Sequence, residues 1–210
     1  MSVARPGKII AVGRNYREHA AELGHTVPTR PLLFLKPPTA VIGNGEAIVL
    51  PPESQQVDYE GEIGVVIGKS LRRGTEAQAG AAIAGITCVN DVTARDLQKS
   101  DEQWTRAKGF DTFCPVGPRV VSVDPAGLGE LEVSCRVNGV ERQRGHARDM
   151  VFSIAALVSV VSQVMTLEPG DLIATGTPAG VGPLHPGDVV EVEIPGVGVL
   201  RNPVRAEQQR

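Results

Sequence analysis

Short apolar runs of strand length recur along the chain, separated by polar and turn-forming residues. The run at 57–68 (VDYEGEIGVVIG) begins with alternating polar and apolar residues and ends in β-branched ones, which is typical of a strand that enters the interior. Shorter runs predict further strands at 8–12, 32–35 and 82–89. Strands therefore carry most of the structure predicted for the first half of the chain.

Two copies of one turn sequence, Pro-Gly-Asp, punctuate the C-terminal third. They lie at 169–171 and 186–188, and each precedes an apolar run that begins as a strand would. In the second run, at 189–194, valine and isoleucine alternate with Glu191 and Glu193. Because successive side chains of a strand point to opposite faces, this alternation predicts one buried and one solvated face.

Two segments predict helices. The polar segment 16–23 has scattered apolar positions, and Asn15 stands where an N-cap would. The most apolar window, 150–165 (MVFSIAALVSVVSQVM), is shorter than the ~20 residues needed to cross a bilayer and contains three serines and a glutamine. With Asp149 at the N-cap position and helix-stopping residues at 168–170, this window predicts a buried helix.

These elements together predict the fold class. Many short strands, few helices, and 24 glycines and 16 prolines in 210 residues favour a β-rich α+β architecture. A doubly wound α/β fold would need helices that alternate regularly with strands. No linker, low-complexity stretch or internal repeat divides the sequence, so we expect a single domain over residues 1–210.

Composition and charge argue against several classes of function. With 3% aromatic residues and a formal net charge of −3, the chain has neither a basic surface nor a stacking platform for nucleic acid. Cys88, Cys114 and Cys135 lie far apart without a C-x-x-C motif, which argues against zinc, thioredoxin-like chemistry and disulfides. The N-terminus has no apolar signal sequence. We expect a cytoplasmic protein without a nucleic-acid or membrane partner.

Glu60 and Glu62 are the first candidates for chemistry. At positions i and i+2 of a strand their side chains leave the same face, and the apolar residues that follow place this strand in the interior. Two adjacent carboxylates in a low-dielectric interior repel each other unless a cation neutralises them. The alternative is a solvated strand edge, as expected for Glu191 and Glu193.

A third acid, Asp91, follows the strand predicted at 82–89 and precedes a polar, helix-like stretch at 93–99. With the glutamate pair it offers three carboxylate ligands, a set that suits a hard cation such as Mg²⁺ or Mn²⁺ and leaves positions for substrate or water. Asp91 could equally be the N-cap of the helix. Asp96 and Asp101 are alternative ligands, although we expect both to face water.

His19 and Glu22 form a second candidate group. At positions i and i+3 they share one face of a helix and can hydrogen-bond. A histidine oriented by a carboxylate can serve as a general base toward water. The same spacing also fits an ordinary surface pair on an amphipathic helix.

Two loop segments leave their roles open. The polar segment 99–106, which contains Trp104, precedes Lys108 and fits either a mobile lid or an exposed loop. The Gly-rich segment 176–182 lacks the signatures of phosphate and dinucleotide loops. Its backbone N–H groups or the Thr177 hydroxyl fit a carboxylate-binding role, and the segment also fits a tight connection between strands.

Six sequence blocks in one order resemble the fumarylacetoacetate hydrolase superfamily. The blocks cover nearly the whole chain and are GRNYREHAAELG (13–24), LLFLKPPTA (32–40), VDYEGEIGVVIG (57–68), NDVTARDLQ (90–98), WTRAKGFDTFCPVGP (104–118) and TGTPAGVG (175–182). The resemblance implies a mixed β-roll of the type found in the C-terminal domain of that hydrolase, and a homodimer.

The same resemblance implies roles for individual residues. Mg²⁺ or Mn²⁺ would be held by Glu60, Glu62 and Asp91, and His19 with Glu22 would form a catalytic dyad. The remaining implied site residues are Lys108, as the catalytic lysine of the lid-side block, and the substrate contacts Arg14, Arg95, Gln98 and Thr177.

The reaction implied by the resemblance is the metal-dependent hydrolysis of a C–C bond in acylpyruvate-type 2-oxo acids through an enolate stabilised by the metal. The alternative is an isomerase or decarboxylase that acts on 2-hydroxy-dienedioate or oxaloacetate-type substrates, as in the catabolism of aromatic compounds. A non-enzymatic binding protein on the same fold is disfavoured, because the presumed ligands, the dyad and the lysine are all present together.

Overall fold

A computed structural model describes residues 5–22, 24 and 26–208. The strands within them are β1 (Ile9–Gly13), β2 (Leu32–Lys36), β3 (Val41–Ile42), β4 (Ile48–Leu50), β5 (Val57–Tyr59), β6 (Gly61–Ile67), β7 (Ile83–Asn90), β8 (Thr93–Ala94), β9 (Cys114–Val121), β10 (Glu132–Val137), β11 (Val140–His146), β12 (Leu172–Ala174), β13 (Gly182–Pro183), β14 (Val189–Ile194) and β15 (Gly198–Ala206). The helices are α1 (Arg17–Glu22), α2 (Glu76–Ala82), α3 (Arg95–Ser100), α4 (Thr105–Gly109) and α5 (Ile154–Val164). Short 3₁₀ turns lie at Pro38–Ala40, Pro125–Glu130 and Ala147–Asp149.

The strands form three mixed or antiparallel sheets. The largest has seven strands in the order β2-β1-β12-β6-β7-β9-β3, and the second has five in the order β11-β10-β14-β15-β4. A small sheet of β13, β5 and β8 lies beside them. The pairs β1–β12, β3–β9 and β4–β15 are parallel, and the other pairs are antiparallel. Many short strands with few helices confirm the α+β prediction.

The five-stranded sheet packs on the seven-stranded sheet, and the hydrophobic core lies between them. Ile63 of β6 belongs to the same buried cluster as Val192 of β14 and Leu200 of β15. The sheets approach closely at Gly61, where an added Cβ would lie 2.9 Å from the Cβ of Cys135. Since an apolar face of each sheet is buried in this way, β6, which contains Glu62 and directly follows Glu60, and β7, which directly precedes Asp91, belong to the interior.

The alternating strand at 189–194 has the two faces that the sequence predicts. Val190, Val192 and Ile194 are buried, whereas Glu191 and Glu193 are partly exposed. The Pro-Gly-Asp turns precede β12 and β14, as predicted. Within the described ranges, no helix is both long and apolar enough to cross a membrane.

Three details of the predicted elements are wrong. The strand predicted at 57–68 is two strands, β5 and β6, with Glu60 between them. The stretch 93–99 begins as a strand, because Thr93 pairs with Asp58 of β5, and the helix begins at Arg95. The apolar helix begins at Ile154 with Ser153 as its N-cap, so Asp149 does not cap it.

Helix α5 begins later than predicted because Asn15, from another part of the chain, bonds the backbone just before it, at Val151 and Phe152. Asn15 does not cap α1, because its side chain accepts a hydrogen bond from the backbone N–H of Phe152 and donates to the carbonyls of Phe152 and Thr175. The backbone carbonyl of Asn15 accepts from Val151. These bonds occupy backbone groups that a longer helix would need. Leu23, the last residue of the predicted helix 16–23, lies outside the described residues.

Candidate active site

Three buried carboxylates meet where β6 begins and β7 ends. Glu60 precedes β6, Glu62 is its second residue, and Asp91 directly follows β7. Since β6 and β7 pair with Gly61 opposite Asn90, the three side chains converge. One ligand oxygen from each lies within 4.8 Å of the others, and all three residues are at most 5% exposed. The glutamates are therefore not a solvated strand edge, and Asp91 is not a helix cap.

Cationic side chains surround these carboxylates. Lys108 on α4 donates to Oε2 of Glu60 at 3.0 Å and to Oδ2 of Asp91 at 2.6 Å. Lys36, at the end of β2, donates to the other oxygen of Asp91, Oδ1, at 2.6 Å. Arg95, at the start of α3, donates to Oε1 of Glu60 at 2.6 Å. Glu60 and Asp91 thus have charged donors on both oxygens.

The two glutamates differ in their protonation equilibria. Burial alone would raise the pKa of Glu60, but Lys108 and Arg95 outweigh it and hold that pKa well below its usual range. For Glu62, burial and the two neighbouring carboxylates raise the pKa well above its usual range. The backbone N–H of Gly176 donates to Oε2 of Glu62 at 2.8 Å, which offsets only part of this effect. A divalent cation would remove the remaining repulsion, so the donor set fits Mg²⁺ or Mn²⁺.

A cavity of about 380 Å³ opens from these carboxylates. The described residues that line it are Val12, Gly13, Arg14, His19, Phe34, Glu60, Glu62, Arg95, Gln98, Lys99, Trp104, Lys108 and Thr177. The structure therefore brings all the predicted catalytic and substrate-binding residues except Glu22 to one cavity wall. Glu22 does not line the cavity and contacts Nδ1 of His19 instead.

His19 is held in the cavity wall by helix α1. Its Nδ1 lies 3.2 Å from Oε2 of Glu22, whose carboxylate also accepts the backbone N–H of Gly180 at 3.0 Å. His19 is buried, whereas the side chain of Glu22 is about one-third exposed. Since Nδ1 faces the carboxylate, Nε2 is the ring nitrogen left for the cavity. The pair is thus a buried histidine oriented by a carboxylate rather than an ordinary surface pair, and its catalytic role stays a prediction.

The hydrogen bonds that two of the predicted substrate contacts make within the protein limit what they can offer a substrate. Arg95 is buried and bonds Asp58 at 2.9 Å and Gln98 at 2.6 Å, besides Glu60. The hydroxyl of Thr177 donates to the carbonyl of Gly61, so its proton is already used within the protein. Arg95 and Thr177 therefore serve chiefly to hold the walls of the cavity in place.

The two alternative ligands do not reach the carboxylate cluster. Asp96 accepts hydrogen bonds from Ser54 and from the backbone of Gln55 near the surface. Asp101 pairs with Arg106. Both acids therefore stabilise local structure around α3, as the sequence favoured.

The segment 99–106 contributes to the cavity mouth. Trp104 meets Phe34 edge to face, with ring centroids 5.3 Å apart, and both rings line the cavity. Helix α4 follows and carries Lys108 into the interior. The mobility of this segment stays a prediction.

Two polar residues of the site were not predicted from the sequence. Lys36 is buried and holds Asp91, and buried Gln143 of β11 joins the backbone N–H of Gly61 to the hydroxyl of Thr177. The one available signal for Lys36 was a lysine that ends an apolar run, LLFLK. Nothing local marks Gln143, because its partners lie on another sheet and in a distant loop.

The fold and the site define the family. The sequence model for the fumarylacetoacetate (FAA) hydrolase C-terminal family matches residues 8–205. The chain therefore belongs to the fumarylacetoacetate hydrolase superfamily, and the predicted family and fold are confirmed.

Proteins of similar sequence or structure match nearly the whole of this chain. A protein of Archaeoglobus fulgidus is 57% identical over 94% of this chain and 78% of its own length. The oxaloacetate tautomerase YisK of Bacillus subtilis is 45% identical over 96% of this chain and 71% of its own length. The crystal structure of a 5-carboxymethyl-2-hydroxymuconate delta-isomerase from Mycobacterium smegmatis matches with a TM-score of 0.90 and 46% identity, over 98% of this chain and 81% of that one.

Proposed function

We propose that this protein interconverts the enol and keto forms of a short 2-oxo acid such as oxaloacetate, with Mg²⁺ or Mn²⁺ as cofactor. The observation that carries the proposal is that His19 lines the same cavity as the glutamates of the carboxylate cluster. A proton carrier and an electrophilic site are the two elements that this chemistry needs. The tautomerase and isomerase names of the two relatives support the same reaction class.

A divalent cation held by Glu60, Glu62 and Asp91 would act as a Lewis acid toward the oxygens of the 2-oxo acid. Lys108 is charged, because Asp91 and Glu60 raise its pKa against the opposing effect of burial. Its ammonium group lies at the cluster and stabilises negative charge that develops on the 2-oxygen. Gln98 and Arg95 shape the part of the cavity wall that orients the carboxylate of the substrate.

His19 moves the proton. In the keto-to-enol direction, Nε2 takes a proton from the carbon next to the 2-oxo group, and the 2-oxygen gains a proton from solvent. In the reverse direction, the enol hydroxyl loses its proton to solvent and Nε2 delivers a proton to the carbon. Glu22 fixes the ring orientation through Nδ1 and stabilises the imidazolium form. The Gly180 N–H holds Glu22 in turn, so the dyad is anchored to the Gly-rich loop.

Hydrolysis of acylpyruvates is the second candidate. The oriented His19–Glu22 pair favours it, because the same base can activate a water molecule toward the distal carbonyl. The apolar rings of Phe34 and Trp104 at the mouth offer a surface for an acyl group. Cleavage would expel an enolate that Lys108 stabilises, so both candidates use one set of residues. Decarboxylation of oxaloacetate would use the same stabilisation without the base.

A small substrate panel separates these candidates. Oxaloacetate, acetylpyruvate, fumarylpyruvate and a 2-hydroxymuconate-type diacid are each incubated with Mg²⁺ and the wild-type protein. We expect loss of the enol absorbance of oxaloacetate faster than in buffer, without matching release of pyruvate. Release of pyruvate from an acylpyruvate would assign hydrolysis instead, and pyruvate from oxaloacetate would assign decarboxylation. No acceleration with any substrate would refute the proposed function.

A further inference from the structure

Gln143 is a polar residue at a buried position of β11, where an apolar side chain would be usual. It is 2% exposed, whereas the residues on either side of it are exposed. Its side-chain carbonyl accepts from the backbone N–H of Gly61 at 3.0 Å. Its NH₂ group donates to the hydroxyl of Thr177 at 2.7 Å and to the carbonyl of Pro178 at 2.8 Å. The oxygen and both protons of this amide are therefore engaged within the protein.

Two of these bonds belong to a closed ring that holds both backbone polar groups of Gly61. The third bond of the ring runs from the hydroxyl of Thr177 to the carbonyl of Gly61, at 2.9 Å. Gly61 lies between Glu60 and Glu62 in the sequence. Because a rotation of the backbone at Gly61 would move one glutamate relative to the other, the ring fixes the distance between two candidate cation ligands.

Strand pairing alone does not hold Gly61 on this side. Strand β12 pairs with residues 64–66 of β6 and therefore ends before it reaches Gly61. Buried backbone groups beyond the end of a partner strand need other hydrogen-bond partners. Gln143 supplies one from the five-stranded sheet, and Thr177 supplies the other from the Gly-rich segment 176–182.

The remaining bond of Gln143 leads to Glu22, the carboxylate that orients the proposed base. Pro178, whose carbonyl accepts this bond, lies two residues before Gly180, and the N–H of Gly180 donates to Glu22 at 3.0 Å. At Gly180 φ is +100°, and an added Cβ would clash with the carbonyl oxygen of Arg142. The Gly-rich segment thus lies directly against β11, and the amide of Gln143 holds it there.

We propose that Gln143 is a positioning residue for both parts of the site, the carboxylate cluster and the His19–Glu22 pair. Gln143 is not among the described residues that line the cavity, so it acts through the groups that it holds. Loss of its amide releases Gly61 and the Gly-rich segment together, so cation affinity and the orientation of the histidine ring change together. This inference rests on the proposed function, because it concerns the same cavity.

Two measurements that need no turnover test the proposal. Mg²⁺ affinity is measured by calorimetry, and the tautomer of His19 is measured at alkaline pH by ¹⁵N NMR of histidine-labelled protein, with His19→Asn to identify the signal. In the wild type Nδ1 should carry the proton, because it faces Glu22. Gln143→Met keeps the approximate size of the side chain without its polar groups. It should weaken Mg²⁺ binding about tenfold or more and shift His19 toward the Nε2–H tautomer.

Thr177→Val separates the two effects. It opens the ring around Gly61 but leaves the bond from Gln143 to Pro178 in place. We therefore expect weaker Mg²⁺ binding and an unchanged tautomer of His19.

A second buried amide of the same sheet provides the matched control. Asn202 of β15 is 1% exposed, and its NH₂ group donates to the carbonyls of Gly43 and Glu46, both at 2.8 Å. These three residues are not among those described as lining the cavity. Asn202→Leu should lower the melting temperature, as Gln143→Met should, and change neither Mg²⁺ affinity nor the tautomer.

The outcomes separate a positioning role from a merely structural one. If Gln143→Met folds and keeps the wild-type value in either measurement, the proposal is overturned, whatever its melting temperature. If Gln143→Met does not fold, wild-type Mg²⁺ affinity in Thr177→Val overturns it instead. A protein that shows both changes in Gln143→Met but converts no 2-oxo acid would refute the proposed function alone.

Discussion

Lys36 shows how one buried residue supports a site that it does not line. Its ammonium group bonds Asp91 and the carbonyl of Val92 at 3.1 Å, and its side chain is fully buried. Lys36→Met leaves one oxygen of a buried carboxylate without its charged partner, which costs about 3–5 kcal/mol. In cation-free buffer we expect the free energy of unfolding of the variant to fall by this amount. Added Mg²⁺ should then raise the melting temperature of the variant by more than it raises that of the wild type.

A second ion pair, in which only the acid is fully buried, provides the control. Lys8 pairs with buried Asp171, away from the cavity. Lys8→Met should lower the melting temperature while the shift produced by Mg²⁺ stays as in the wild type. Equal Mg²⁺ shifts in both variants would show that Lys36 has no special relation to the carboxylate cluster.

Replacement of His19 tests the proposed proton transfer. His19→Asn removes the proposed proton carrier, so the turnover of oxaloacetate should fall about 10²-fold or more, with little change in KM. Mg²⁺ affinity measured by calorimetry should stay unchanged, because His19 is not among the carboxylate ligands. His185→Asn, at a well exposed histidine, is the control and should retain full activity. Full activity of His19→Asn would show that another residue transfers the proton.

The candidate residues that could be predicted are those with a local spacing. Glu60 with Glu62 and His19 with Glu22 follow from strand and helix periodicity. Lys36 could not be predicted as part of the site, because its contact with Asp91 joins positions 55 residues apart. A single sequence carries no signal for such a pairing.

At the scale of the elements, turns and periodic strands could be predicted and helix ends could not. The Pro-Gly-Asp turns contain Gly170 and Gly187 with φ values of +91° and +95°, which explains why glycine marks these positions. The start of α5 depends instead on Asn15, more than a hundred residues away. Helix termini chosen by tertiary hydrogen bonds leave no local pattern.

Gly176 links the Gly-rich loop to the glutamates. Its φ is +101°, and an added Cβ would lie 2.7 Å from the Cβ of Asn15. Gly176→Ala should therefore displace the N–H that bonds Glu62, lower the melting temperature and weaken Mg²⁺ binding. Gly139→Ala, at a glycine with φ +77° and open space around it, is the control and should cost only about 1–2 kcal/mol of backbone strain. Unchanged Mg²⁺ binding in Gly176→Ala would contradict the link.

We expect the thiols of the three cysteines in the packed sheets to be unreactive. Burial raises the pKa of Cys88, Cys114 and Cys135 to about 12, so the reactive thiolate is scarce at neutral pH. We expect no alkylation by iodoacetamide in the folded protein at pH 8 and full alkylation in denaturant, measured by mass spectrometry. Rapid alkylation without denaturant would show that the sheets open locally.

For the whole molecule, composition predicted the α+β class but not the order of strands. Strand β12 lies between β1 and β6, although well over a hundred residues separate it from β1 along the chain. The packing of one sheet on the other depends on such long-range pairings, which periodicity does not encode. The single domain over residues 1–210 stays a prediction.

The homodimer implied by the resemblance is a prediction for the whole protein. Sedimentation equilibrium should give twice the chain mass at micromolar concentration, with or without Mg²⁺. A monomer mass across the accessible concentration range would contradict it.

The cations around the buried acids also bear on how the chain matures. Proteins whose metal ligands have no other partners fold only when the ion arrives. Here Lys36, Lys108 and Arg95 already compensate Glu60 and Asp91 within the polypeptide. We therefore expect a newly synthesised chain to reach its native form without the ion, so that binding of the proposed ion would be a separate, reversible step. Under the proposed function, the cellular supply of divalent ions would then set how much of the folded protein is active, rather than how much of it folds.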